Sequence, residues 1–261
     1  MTHASAAHDH RFDRRSVLRA AMLGAAGAAT IGGTSAALLP SRARAADGAI
    51  RGQDVSSHQG EVDWAAQKEA GSQFAYCKAT QGNWYTNPFF AQQYGGSYDA
   101  GLVHGAYHWT EPGNGDPVAE CDYFLENGGG WTDDGRTMPG MLDVEDNPNG
   151  LGQQEMQDWI VAWIDHYRDQ TGRTPVVYTG AWFWDDQVGP QWAPENVPLH
   201  VSHYKAEPPV GTQIPGTWNA WEIWQFAADG GPFAGDSNLF FGDQSQWESF
   251  LTDKDYDPVS N

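Results

Sequence analysis

The chain has 261 residues, 13% of them aromatic, and sets 34 acidic side chains against 14 basic ones for a net charge of −20. Such a polyanion disfavours nucleic acid and anionic membrane surfaces as partners, because neither phosphate array would be neutralised by it. Two cysteines, with no Cys/His spacing of the zinc type, point away from a structural metal.

The first 45 residues read as an export leader. Arg14-Arg15-Ser16-Val17-Leu18-Arg19 is a twin-arginine pattern, Ala20 to Leu39 is mildly apolar, and Ala43-Arg44-Ala45 offers a small-x-small cleavage site. The expected mature chain is residues 46–261, secreted by the twin-arginine route and free of the membrane; a retained anchor is the other reading of the same stretch. The leader holds six of the basic residues and two of the acidic ones, which leaves 8 basic against 32 acidic and a net charge of −24. No Ser- or Pro-rich linker divides the remainder, so a single domain is expected, long enough for its own core and acting as a monomer. Cys77 and Cys121 permit one disulfide outside the cytoplasm and read equally well as buried thiols.

Strand-like and helix-like segments then alternate. Ala49 to Val55 reads as a strand and Trp64 to Ala70 as a helix. Gln73 to Ala79 is a second strand and Phe89 to Ala100 a second helix. Leu102 to Trp109 is a third strand, and the helix Pro117 to Glu126 opens on the proline that helix starts favour. Pro139-Gly140 and Asn147-Pro148 bracket a short strand, Met141-Leu142-Asp143-Val144-Glu145-Asp146, that ends in acid. Gln153 to Gln170 is a long helix closed by Gly172, with Met156, Trp159, Ile160, Trp163, Ile164 and Tyr167 at helical spacing on one buried face. Pro175 to Thr179 is the fifth strand. After Gly180 the helical period disappears, and Leu199 to Tyr204 and Glu222 to Phe226 read as strands among Pro, Gly and Trp.

Repeated β-then-α units imply a parallel sheet, and strands alone complete it: an α/β fold, a TIM-like flattened barrel of (β/α)5(β)3 type. Closure brings the C-terminal strand ends to one mouth. Asp54 ends the first strand, Asp143 and Glu145 the fourth, and Tyr178 the fifth. Residues two apart share a strand face, so Asp143 and Glu145 should project together, and the more shielded carboxyl of such a pair holds its proton near neutral pH, as a general acid must. An acidic loop or a metal-binding edge is the plainer reading of one D-x-E. Tyr107, Trp109, Tyr204, Trp224 and Phe226 crowd the same ends. Rings beside carboxylates suit a sugar, whose apolar face stacks while its hydroxyls need polar partners.

In order along the chain, Gly52 to Trp64, Phe74 to Thr80, Gly105 to Trp109, Leu142-Asp143-Val144-Glu145, Val176 to Thr179, Ile223 to Phe226 and Gly235-Asp236-Ser237-Asn238-Leu239-Phe240 resemble the motifs of the glycoside hydrolase family 25 lysozymes, the N,O-diacetylmuramidase type. The resemblance implies hydrolysis of the β-1,4 bond between N-acetylmuramic acid and N-acetylglucosamine in peptidoglycan, with retention at the anomeric carbon and no metal or organic cofactor. Carried over by position, Glu145 is the general acid. Asp143 orients and charge-stabilises the 2-acetamido group or acts as nucleophile, and Asp54 and Asp236 complete the acidic cleft. Tyr107, His108, Tyr178, Tyr204, Trp224 and Gln225 are expected to bind the substrate, with a packed aromatic strand end as the other reading of His108 and Tyr178 and core packing as that of any single Trp. The pattern departs at Glu111, where an Arg is often found before the Pro, at His200 in place of a Trp, and at Gly235 in place of a Val. A glycosidase on another acetamido-sugar polymer such as chitin, or a non-catalytic glycan-binding barrel, is the alternative.

Overall fold

The computed structural model describes residues 49–259, and the leader expected over residues 1–45 lies outside the described residues. Strand β1 (Arg51–Val55) passes through Gly52, whose missing side chain is what lets β2 (Phe74–Gln81) approach: a Cβ there would sit 2.4 Å from the Phe74 ring and carbonyl oxygen. Between them lies α1 (Trp64–Glu69), started by the Asp63 carboxylate accepting the Ala66 N–H. A two-residue strand β3 (Tyr85–Thr86) folds back on β2 as a hairpin, followed by α2 (Phe90–Asp99), β4 (Val103–Trp109) and α3 (Pro117–Phe124), the last capped by Asp116. The acidic strand β5 (Met141–Asp143) leads to α4 (Gln153–Thr171), where the Glu155 carboxylate accepts the Gly152 N–H and Gly172 closes the helix in the left-handed conformation. Then come β6 (Val176–Gly180), a short α5 (Ala181–Phe183), β7 (Leu199–Ser202), β8 (Ile223–Ala227), β9 (Asp236–Phe240) and α6 (Gln244–Thr252).

The sheet runs β1-β9-β8-β7-β6-β5-β4-β2, with β3 outside on β2, and pairing of β1 with β2 closes it into a barrel. Within the barrel every neighbouring pair from β1–β2 round to β7–β8 is parallel and β9 runs against its neighbours β8 and β1; outside it, β3 is antiparallel to β2. The α/β barrel read from the sequence is therefore the fold. Alternate residues of the strands divide between the barrel interior and the layer outside it, where Val55, Ala75 and Cys77 form a cluster of their own with Trp64 of α1. Ile50, Phe74, Tyr76, Tyr107, Met141, Val176, Tyr178, Ile223 and Phe240 fill the barrel, and Leu142, Val144, Val177, Leu199, Val201 and Trp224 meet the stripe of α4 outside it.

Two details differ from the expectation and a third settles an open one. The acidic strand stops at Asp143, so Glu145 stands beyond its end rather than on it. The third closing strand, β9, carried no readable strand pattern. Cys77 and Cys121 are separate buried thiols, one against α1 and α2 and the other under α4, which resolves the choice left open by the cysteine count. No helix among the described residues is long and apolar enough to cross a membrane.

Candidate active site

Antiparallel pairing of β1 with β9 puts Asp54 directly opposite Asp236. Like charges so placed repel, and the chain answers with an amide from the neighbouring strand. Gln225 Nε2 donates to Asp54 Oδ2 at 2.8 Å and to Asp236 Oδ2 at 3.3 Å. The orientation of that amide is fixed from its other end, because the Tyr178 and Tyr204 hydroxyls both donate to Gln225 Oε1. Asn238 Nδ2 donates to the second oxygen, Asp54 Oδ1, at 2.8 Å. Asp54 is thus held by two amides at the floor of the mouth.

Asp143 pairs across the sheet with Trp109 and with Tyr178, the residue whose hydroxyl reaches Gln225. Its side chain is buried and shares the inward face with Met141. The backbone around it is anchored from both sides. The Thr110 N–H and hydroxyl donate to the Asp143 carbonyl, and the Val144 N–H donates to the Tyr178 carbonyl. Val144 turns into the outer cluster, leaving Glu145 half-buried at the rim. Asp146 follows. Burial raises its carboxyl above the ordinary range and the nearby Glu111 charge adds to this, against the N–H of Asn147.

His200 lies beneath Asp54, fully buried and standing edge-on to the Tyr178 ring. Burial pushes its imidazole down to about 3, against a partial offset from its bond to Asn238. The ring is therefore neutral, and its 3.7 Å approach to Asp54 is not an ion pair. With Nδ1 facing the Met141 sulfur, the proton sits on Nε2 and is donated to Asn238 Oδ1 at 3.2 Å, which turns the Asn238 N–H toward Asp54. The consequence for stability has a definite sign. A histidine whose folded pKa is below its unfolded value of about 6.5 lets the unfolded chain bind the extra proton, so stability is lost as pH falls from about 6.5 toward 3. His200→Phe is expected to flatten the acid limb of urea-unfolding free energy against pH by up to about 1.4 kcal/mol per pH unit in that window. Parallel limbs for variant and wild type would contradict it.

Two expected substrate residues face the other way. His108 is fully buried among Phe124 and Trp163, accepting from the Thr80 hydroxyl at Nδ1 and donating from Nε2 to Glu120. Trp224 packs on Trp221 and Phe226 and donates to the His203 carbonyl. Both belong to the layer between barrel and helices. Tyr107, Tyr178 and Gln225 point inward, and Tyr204 stands just past β7 at the mouth, half-exposed. Two exposed indoles at the same end, Trp84 after β2 and Trp182 after β6, carried no signal in the strand and helix pattern.

Gly235 precedes Asp236 at φ +74°, and a Cβ there would lie 2.1 Å from the Asp54 carbonyl oxygen. The glycine in place of Val is thus required by how this chain enters β9.

The architecture is that of an α/β barrel with carboxylates and aromatic side chains gathered at one mouth, where the parallel strands end and the antiparallel β9 begins. Residues 53–235 match the model of the glycosyl hydrolases family 25, and the chain belongs to that family. It is similar to N,O-diacetylmuramidase of Chalaropsis sp., 41% identical over 202 residues that cover 74% of this chain and 94% of the relative. It is also similar to Lysozyme M1 of Streptomyces globisporus, 38% identical over 196 residues covering 72% of this chain; the match spans only 65% of that relative's length. The solved structure of a family GH25 lysozyme from Aspergillus fumigatus superposes with a TM-score of 0.74 at 38% identity, covering 78% of this chain and 99% of the other.

Proposed function

We propose that the protein is a secreted muramidase that cuts the β-1,4 bond between N-acetylmuramic acid and N-acetylglucosamine in bacterial peptidoglycan. The reading is supported above all by the apposition of Asp54 and Asp236 under Gln225, linked through Tyr178 to the strand that carries Asp143. Two relatives named lysozyme and N,O-diacetylmuramidase share more than a third of their aligned residues with it.

The chemistry follows from the placement. Glu145, half-buried at the rim, gives its proton to the glycosidic oxygen as the bond to the anomeric carbon breaks. The substrate's own acetamido oxygen bonds to that carbon from the opposite face, and Asp143 stabilises the positive charge that develops on the acetamido nitrogen. Water then attacks the same carbon and yields its proton to the Glu145 carboxylate. Two inversions leave the configuration retained. Asp54 and Asp236 supply negative charge near an oxocarbenium-like transition state, an effect strengthened where water is excluded. No step calls for a metal or an organic cofactor. Residues 46–261 would act outside the cell as a monomer after twin-arginine export, on glycan strands rather than nucleic acid or membrane.

Digesting purified walls and analysing the fragments by mass spectrometry tests the bond cut, and NMR of the first product tests the anomer. N-acetylmuramic acid at the new reducing end, initially as the β-anomer, is the expected result. N-acetylglucosamine there would overturn the reading, and an initial α-anomer would overturn the two-inversion route.

A further inference from the structure

We propose that Trp84 and Glu111 form an outer saccharide subsite on the rim of the barrel, taking an uncharged pyranose ring of a glycan strand whose scissile bond lies at the acidic mouth. The proposal rests on the muramidase reading for the identity of the strand, and on its own geometry for the site.

Trp84 sits at the tip of the β2–β3 hairpin and is 64% exposed. An indole so placed would ordinarily turn freely. Here its Nε1–H donates to Glu111 Oε2 at 3.0 Å, on the loop after β4. That carboxylate is itself fixed. Asn114 Nδ2 donates to the same oxygen at 3.0 Å and Gln81 Nε2 to Oε1 at 2.8 Å. Asn149, from the loop after β5, donates to Asn114 Oδ1 at 2.7 Å, and Lys78 Nζ donates to Gln81 Oε1 at 2.8 Å. Three loops at one end of the barrel thus converge to hold one exposed ring.

The backbone is shaped for the same purpose. Gly82 adopts φ +50°, and a Cβ there would come within 2.9 Å of the Trp84 indole nitrogen and 3.0 Å of Glu111 Oε2. Only glycine allows the hairpin to close on this pair. Tyr85 meets Trp84 edge to face, which further restricts the ring.

The chemistry names the ligand. A solvated apolar ring face locked in one orientation has paid its ordering cost in advance, which favours stacking of the apolar face of a sugar. The carboxylate at the edge of that ring accepts hydroxyl or amide hydrogens, as saccharides offer. Burial alone would raise the Glu111 carboxyl, but its donors Gln81, Trp84 and Asn114, with the Lys78 charge, outweigh this and keep it ionised. A fixed anion repels the carboxylates of a lactyl-linked peptide. The ring that fits is therefore an N-acetylglucosamine unit rather than a peptide-bearing muramyl unit.

The test compares kcat/KM on soluble glycan strands of two lengths, one long enough to reach the hairpin and one confined to the central cleft. Trp84→Ala is expected to lower the long-to-short ratio about tenfold, with Trp84→Phe recovering part of the loss. Glu111→Gln should weaken discrimination against strands that retain their peptides. A ratio within about twofold of wild type for Trp84→Ala, at unchanged melting temperature, would overturn the subsite. If Trp84→Ala does not fold, Glu111→Gln carries the decision through its peptide discrimination, and unchanged discrimination overturns the proposal. Failure of the wild-type chain to cleave any glycan would sink the muramidase reading separately. Co-sedimentation with intact walls of Glu145→Gln against Glu145→Gln/Trp84→Ala then reads the platform without catalysis, and equal retention of the two would reject it.

Discussion

Replacing Glu145 by Gln is expected to lower the rate of peptidoglycan hydrolysis by about three orders of magnitude, the scale of a lost general acid. The amide keeps the size of the side chain and removes the proton that the leaving oxygen needs. Because Glu145 stands beyond the end of β5 and is only half-buried, the variant should unfold within a few degrees of wild type and still sediment with walls. The companion variant Asp143→Asn should also be inactive, and here the structure sharpens the comparison. Burial favours the neutral carboxyl, and it is Asp143, not Glu145, that is the more buried of the two. Shielding therefore does not single out Glu145, and its part as the acid rests on the proposed mechanism. An aryl glycoside with a good leaving group decides between the two carboxyls, since it departs without protonation. Rescue of Glu145→Gln but not of Asp143→Asn is the expected pattern. The reverse pattern would exchange the two roles.

The β/α order was legible because each strand is a short apolar run and each long helix buries one stripe, as α4 does with Met156 through Tyr167. The face of each strand was not. A parallel strand covered on both sides is apolar throughout, so composition does not say which residues enter the barrel. Period two does constrain pairs: neighbours on a strand cannot share a face. Tyr107 with His108, and Trp224 with Gln225, could not all have lined one site, and the inward places fell to Tyr107 and Gln225. The end of β5 was misread for another reason. The Val144 N–H still bonds to the Tyr178 carbonyl, but the chain then leaves the sheet toward the Asn147-Pro148 turn, and Asp143-Val144-Glu145 looks equally acidic either way. Strand β9 showed no strand pattern because two of its three barrel-facing residues, Asp236 and Asn238, are polar side chains serving the site, and Phe240 alone of that face is apolar. Trp84 was hidden in a hairpin turn, where hydrophobic periodicity has no meaning.

Gly235→Val, which restores the residue found in the pattern this segment resembles, is expected to be among the most damaging single changes in the barrel. At φ +74° a β-branched side chain pays the left-handed penalty of about 1–2 kcal/mol, and its Cβ would overlap the Asp54 carbonyl oxygen at 2.1 Å. That oxygen is backbone and cannot swing aside. Relief requires β9 to part from β1 at the Asp54–Asp236 pair, which also pulls Gln225 from one or both carboxylates. The preceding residue resists such a shift, since the Ala234 N–H donates to Gln67 Oε1 and its carbonyl accepts from Gln53 Nε2. We expect a loss of about 3 kcal/mol or more, a fall in melting temperature on the order of 10 °C, and a larger fractional loss of hydrolysis than of folded protein. Gly230→Ala is the matched control. It shares a positive φ of +97° but has no atom within 4 Å of the added Cβ, so it should show the conformational penalty alone. Equal melting temperatures for the two variants would mean that the entry to β9 relaxes without strain, and that the Asp54–Asp236 geometry does not depend on this turn.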